Sequence, residues 1–540
     1  MTSRLIRTTS ILATLFALSS CGGGSKPAPQ YSIGGNVTNL AGTGGGLTIA
    51  NGSGADLPIS ANGPFTLPGT VASGTSYAIT IAQQPSNPPQ TCGVQNGSGV
   101  ATNTVSDILI DCSHNEFTWV NGPSMTNVTG IYGTMNVSAS TNFPGARQVG
   151  ATWTDSSGAL WLFGGYGYDS KGNLLPLSDV WKFANGQWTW VGGPDVAGEI
   201  GVYGTKGQAS ASNIPGARES ALSWKDSSGA FWMFGGIGFD AQGNEAELND
   251  LWKYADGQWT WISGSNIAKQ RGVYGTKGQP NANNTPGART TAAAFTDASG
   301  NFWLFGGEGY DGVGGRGELN DLWEYSNGQW TWISGSNVVN QSAVYGVQGT
   351  PSPANVPGGR ANMLSWTDAS GNFYIYGGAG YGAAGLNAIF GDFWKFSNGQ
   401  WTWIGGLQIA QPITVYGTRG VAAATNYPGW RQDSATWADA SGNLWLFGGN
   451  ASDMTGAAGE LSDLWEYSNG EWTWMAGLNQ GSKFGVYGTQ GDPTPANVPG
   501  GRSNPSTWVD SNGNLWMLGG WGSAQSGAQG DLGDLWMYKP

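Results

Sequence analysis

Chemistry in this chain has to come from residues that break a pattern. A unit of 71 residues is written six times, and a side chain present in every copy cannot make a unique site. Two tryptophans have no counterparts. In the recurring Pro-Gly-x-Arg, x is Ala or Gly in five copies and Trp430 in the fifth. After a recurring Gly pair stand Tyr166, Ile237, Glu308, Ala379, Asn450 and Trp521. Asp433 and Asn504 lie two residues beyond Arg431 and Arg502. A flat aromatic face with a few directional polar groups is a means of holding a sugar ring. Trp430, Asp433, Asn450, Asn504 and Trp521 are therefore the candidate binding residues. A second aromatic arc, Tyr168, Phe239, Tyr310 and Tyr381, covers the first four copies, with Asp169, Asp240 and Asp311 beside it. It reads either as a rim for a partner or as loop packing. Drift among surface loops competes with both readings.

The residues that are missing exclude more. The chain has one His and three Cys in 540 residues, and His114 and all the Cys precede the first repeat. A zinc site or a Ser-His-Asp triad in the repeats is thereby ruled out, and no cofactor is called for. The net charge of −13 is carried by the repeats, with 19 basic against 32 acidic residues, while residues 1–114 hold three of each. Such a surface repels phosphate backbones, so nucleic acid is excluded as a partner.

The elements that position these residues are strands. Gly 93 and Pro 25 approach disordered composition, but 29 Trp, 19 Tyr and 18 Phe demand a packed aromatic core. Charged residues make up only 11%, and no stretch has helical periodicity, so the fold class is all-β. The Gly pairs at 164, 235, 306, 377, 448 and 519, the Arg of Pro-Gly-x-Arg and the Asp of Asp-x-Trp all recur at the same step, filling residues 115–540. Each copy yields four strands. In the fourth these are a, from Arg360 to Trp366; b, Phe373 to Tyr376, ending at the Gly pair; c, Phe393 to Phe396; and d, Trp401 to Trp403.

An apolar strand ending in Gly-Gly, then an aromatic with a Trp seven positions later (Tyr254 and Trp261, Tyr325 and Trp332), resembles the kelch repeat. The resemblance implies a six-bladed β-propeller of the galactose oxidase and kelch type. The last copy ends without a d strand, and Phe117-Thr118-Trp119 lies one repeat before Trp188-Thr189-Trp190. The N-terminal strand is therefore expected to close the last blade, which leaves no exposed sheet edge. The b–c and d–a loops are long and emerge on one face, where binding is expected. The recurring Arg and Asp read as one clasp per blade, against the alternative of a ring of cationic ligands for an anionic sugar. Galactose oxidase chemistry needs two His, two Tyr and a Tyr–Cys crosslink around copper, and the repeats lack His and Cys. The Asp-box of sialidases does not fit Ser365 to Gly371. Sialic acid epimerases of the kelch group work with Glu and Arg, and Glu219 and Asp433 are acidic singletons at the expected channel mouth.

Residues 1–20 read as a signal peptide: Arg4 and Arg7 precede an apolar run from Ile11 to Leu18, too short to cross a bilayer. Leu18-Ser19-Ser20-Cys21 resembles the lipobox of bacterial lipoproteins, which implies cleavage before Cys21 and lipid on that residue. Gly22 in place of Asp favours the outer membrane. Residues 21–29 read as a flexible tether. Residues 30–113 read as short strands, and ANGPFTLPGTVASGTSYAITI resembles the β-sandwich modules related to carboxypeptidase regulatory domains. With Cys21 lipidated, Cys92 and Cys112 remain as a disulfide pair in an exported chain. The reading is a monomeric, lipid-anchored binding protein of the bacterial cell envelope, facing the periplasm or the surface. Glycan or envelope protein is its ligand. A carboxylate-dependent sugar-processing enzyme and a structural or adhesive scaffold are the alternatives.

Overall fold

A computed structural model describes residues 28–40, 46–52, 56–85 and 90–540. Cys21 and most of the expected tether lie outside the described residues.

Among the described residues every regular element is a strand. The N-terminal module has two four-stranded sheets. One runs in the order Gly63–Thr66, Ile33–Thr38, Val105–His114, Thr91–Gln95; the other runs Leu57–Pro58, Thr48–Asn51, Thr75–Gln83, Ser98–Ala101. Both contribute to one buried cluster, with Ile33, Val37, Ile108 and Ile110 from the first sheet and Ile49 and Ile79 from the second. This is the packing of a small β-sandwich. Cys92 and Cys112 stand on neighbouring antiparallel strands and are bonded to each other.

From Glu116 onward the chain forms a β-propeller, a closed ring of antiparallel sheets. Strand a of each copy lines the axis. Ala151–Thr154 lies against Leu222–Lys225, and the series continues through Ala293–Thr296, Leu364–Thr367, Ala435–Ala438 and Ser506–Val509 back to Ala151–Thr154. Hydroxyls tie neighbours together: Thr152 Oγ1 donates to Thr507 O at 2.8 Å and Thr154 Oγ1 to Val509 O at 2.9 Å. The ring is closed by the N-terminal strand. Glu116–Asn121 pairs antiparallel with Gln529–Lys539, Phe117 facing Tyr538 and Trp119 facing Trp536. Lys539 also forms an ion pair with Asp111 of the sandwich.

Cores form between blades, not within them. Leu160, Leu162 and Trp181 of the first copy share a cluster with Trp508, Leu518 and Leu535 of the last. Flat sheets of alternating Trp, Phe and Leu have no interior of their own, so each buries its face against the next. Trp508 Nε1 accordingly donates to Trp161 O at 2.7 Å, and Trp366 Nε1 to Trp445 O at 2.8 Å.

The structure corrects one feature of the expected blade. In four copies strand b runs on through the Gly pair, and in the second and third it ends before the pair and resumes just beyond it, so the b–c segment is not a long loop. In the fourth copy Phe373–Tyr381 continues beyond Gly377 and Gly378, and Gly378 to Tyr381 pair with Phe390 to Asn387. Here the Gly pair is an irregularity inside a long ribbon. Both glycines have positive φ, 65° and 87°, which no β-branched strand residue adopts readily. A Cβ on Gly377 would lie 2.5 Å from Arg431 O of the next blade. The pair thus lets adjacent blades approach while the ribbon runs on to the rim. The d–a segments alone are long connections.

Candidate functional site

The repeated motifs are occupied with holding the blades. Arg147 binds Asp179 at 2.8 Å, and Arg360 binds Asp392 at 2.7 Å, with both partners fully buried; the other four copies match. Each Asp is further satisfied by a Tyr hydroxyl and an indole N–H, as Tyr345 (2.7 Å) and Trp394 (2.8 Å) do for Asp392. Burial and the adjacent carboxylate hold the Tyr345 phenol well above its ordinary pKa. Such an Arg is a clasp and offers nothing to a ligand. Asp169, Asp240 and Asp311 are equally committed. Each is buried and caps its own turn, as Asp169 does by accepting from the backbone N–H of Lys171 (2.8 Å) and Asn173 (2.9 Å).

One residue past the first pair of strand a, a different ring appears. Val149, Ser220, Thr291, Asn362, Asp433 and Asn504 occur at the repeat step, and all have φ between 50° and 60°. Their backbones link blade to blade: Ser220 N–H donates to Val149 O at 3.0 Å, Asp433 N–H to Asn362 O at 3.2 Å, Asn504 N–H to Asp433 O at 2.7 Å, and Val149 N–H to Asn504 O at 3.0 Å. The twist needed to make these bonds explains the left-handed backbone, tolerated by Asn and Asp and strained for Val149 and Thr291. The ring frames an axial cavity of about 210 Å³. Burial pushes the Asp433 carboxyl up to about 7.

Above the ring, toward the long connections, lies an acidic and aromatic rim shared by the last, first and second copies. Trp521 is 41% exposed and faces Asp531 across the ribbon, so the two side chains share a sheet face. Gln148, one residue before the ring, donates to Asp531 Oδ1 at 3.2 Å. Glu219, one residue before Ser220, is raised to about 7, first by desolvation and then by the charges of Glu245 and Asp531. Desolvation raises Asp531 to about 6. Tyr166 is raised by desolvation and then by the charges of Glu219, Asp531 and Glu245.

The sequence candidates divide accordingly. Asp433 and Asn504 line the axial cavity, and Trp521 stands on the rim. Asn450 is half-buried between Gln432 and Glu460 on the neighbouring ribbon. The arc of Tyr168, Phe239, Tyr310 and Tyr381 is half-buried at the ribbon ends, opposite Leu174, Glu245, Arg316 and Asn387. Burial and, after it, the charge of Asp531 raise the Tyr168 phenol. Trp430 is a correction. It is 6% exposed and offers no ring face to a ligand. At the equivalent Gly359 a Cβ would meet Glu318 O of the preceding blade at 2.5 Å, so a side chain at this position points into the seam between blades. Sequence reasoning missed Asp531, Glu245, Gln148 and Tyr166. At the position of Asp531 four of the six copies carry an acid (Glu247, Glu318, Glu460, Asp531), so nothing there departs from the repeat.

Among the described residues no three His, Cys, Asp or Glu side chains come together as metal ligands. No described helix is long and apolar enough to cross a membrane. No known protein-family model matches the chain, and no curated protein matches it. Solved structures do. One titled "Structure of YjhT" is 11% identical over 75% of this chain and 96% of its own, with a TM-score of 0.42. A fungal alcohol oxidase of the AA5 family in complex with copper is 12% identical, covering 76% of each chain, with a TM-score of 0.38. A protein of unknown function from Dyadobacter fermentans is 11% identical over 78% of this chain and 98% of its own, with a TM-score of 0.37.

Proposed function

We propose that this is a lipid-anchored binding protein of the bacterial cell envelope, and that the face carrying the long connections holds a glycan. Trp521 carries the reading. It is the exposed exception among indoles otherwise used in packing or in hydrogen bonds between and within blades. Around it the rim supplies what sugar recognition requires, a flat ring with amide, phenol and carboxylate groups at its edge. The test is a glycan array probed with the mature protein and with Trp521→Ala. Signal that disappears in the variant supports the reading, and a blank array for the parent refutes it. The anchor is tested by Cys21→Ala, which should release the protein from the membrane fraction; unchanged fractionation refutes it.

One observation supports a second reading, a carboxylate-dependent sugar-processing enzyme. Glu219, raised to about 7, has the proton affinity expected of a general acid or base at neutral pH. Turnover of an array hit, lost in Glu219→Gln, would decide for it.

A further inference from the structure

The rim is acidic without compensation, and the cause is a local reversal of the repeat. In the third copy Arg316 reaches back across the seam to Glu247 at 2.6 Å and also holds Glu308 at 2.7 Å. One repeat earlier the same position is Glu245. The seam between the first and second copies therefore has an acid where its neighbour has a base, and this acid faces Glu219. Among the described residues no Lys or Arg forms an ion pair with Glu219, Glu245, Asp433 or Asp531.

The axial cavity below supplies an independent observation. Ser220, Thr291, Asn362, Asp433 and Asn504 all line it, and among the described residues no hydrogen bond is formed by any of their side chains. Asp433 lies half-buried on that cavity, and desolvation raises its carboxyl. Five half-buried polar side chains thus converge on one axial space, where they are open to a polar guest. The single charge among them is negative.

We propose that the glycan bound at this mouth carries a free ammonium group, so that the ligand class is an amino sugar chain. This rests on the glycan reading above and narrows it. An ammonium at the axis would face Asp433, with hydroxyl and amide oxygens of the ring as further acceptors. The adjoining sugar would lie along Trp521 and Tyr166, and Glu219 and Glu245 would meet an amine on the next residue. Asp531, beside Trp521 on the same sheet face, is buried and contributes its field without contact. A uronic or sialic acid would meet the carboxylates of Asp433, Glu219 and Glu245 and the field of Asp531. A neutral sugar would leave the charges unanswered, which is unfavourable at a partly desolvated site.

The experiment compares two probes by calorimetry on the intact protein: the β-1,4-linked tetramer of glucosamine and that of N-acetylglucosamine. The expected result is at least a tenfold preference for the glucosamine tetramer. That preference should shrink in Asp433→Asn and in Glu219→Gln/Glu245→Gln, while Trp521→Ala weakens binding of both tetramers. Equal affinity, or tighter binding of the acetylated tetramer, overturns the ammonium proposal and leaves the glycan reading standing. Binding of neither tetramer also overturns it, and the array of neutral and acidic glycans then decides the broader reading separately. Circular dichroism of each variant excludes unfolding as the cause of lost binding.

Discussion

Asp433→Asn is the substitution whose outcome the structure fixes most tightly. The change is nearly isosteric, disturbs no hydrogen bond, and places Asn where Asn362 and Asn504 already hold the same backbone conformation. The Asp433 carboxyl is raised from an ordinary 3.8 to about 7 by desolvation. A carboxyl whose pKa is higher in the folded state binds its proton more tightly there, so stability falls as pH rises from about 4 to 7 and is flat above. At about 1.36 kcal/mol per unit the full cost approaches roughly 4 kcal/mol, and water in the cavity lowers it to about 2–4 kcal/mol. Asn carries none of that cost. Thermal unfolding at pH 8 should show the variant melting several degrees above the parent, and at pH 4 the two should nearly coincide. A gap of equal size at both pH values would mean that ionisation is not its source. A variant less stable at pH 8 would mean that the carboxylate has a partner, and the axial cavity argument would fail with it.

Trp430→Ala should cost about 3–5 kcal/mol of stability, as expected for a buried indole. Trp521→Ala should leave the unfolding midpoint nearly unchanged and weaken glycan binding by about 1–3 kcal/mol; a reversal of the two in denaturant titration and calorimetry would refute the placement. Arg360→Ala leaves Asp392 buried and unpaired, so a loss of about 3–5 kcal/mol is expected in urea unfolding, and a loss below about 1 kcal/mol would remove the clasp from the account. A chain beginning at Gly122 lacks the strand that pairs with Gln529–Lys539 and should melt well below the parent; equal melting would show that closure contributes nothing. Val149→Asn replaces a β-branched residue at φ 50° and should stabilise by about 0.5–1 kcal/mol, the scale of the relieved left-handed strain.

Much of this was legible from the order of residues alone. The step between Arg147 and Arg218, held through all six copies, together with the strand pattern within each, specified the repeating antiparallel sheets. The displaced Phe117-Thr118-Trp119 specified the closure. The burial of Arg147 against Asp179 followed from their recurrence, because a residue needed in every blade serves every blade. Singling out residues that depart from the repeat picked Asp433 and Asn504, which line the axial cavity, and Trp521, which is exposed. It went astray at Trp430, since uniqueness in sequence does not distinguish a solvent-facing position from one aimed into a seam. It also missed what the seams create. Asp531 is ordinary in its copy, and Glu245 differs from Arg316 by a substitution that looks like surface variation. They form a charged mouth with Tyr166 only because the ring closes, bringing the last blade beside the first. The length of the b–c ribbon was likewise invisible, because glycines that end a strand and glycines that bend one are written with the same two letters. Strand periodicity and recurrence are local properties and survive in the sequence. Burial across a blade interface, and a field summed over three blades, depend on which surfaces the closed ring puts face to face.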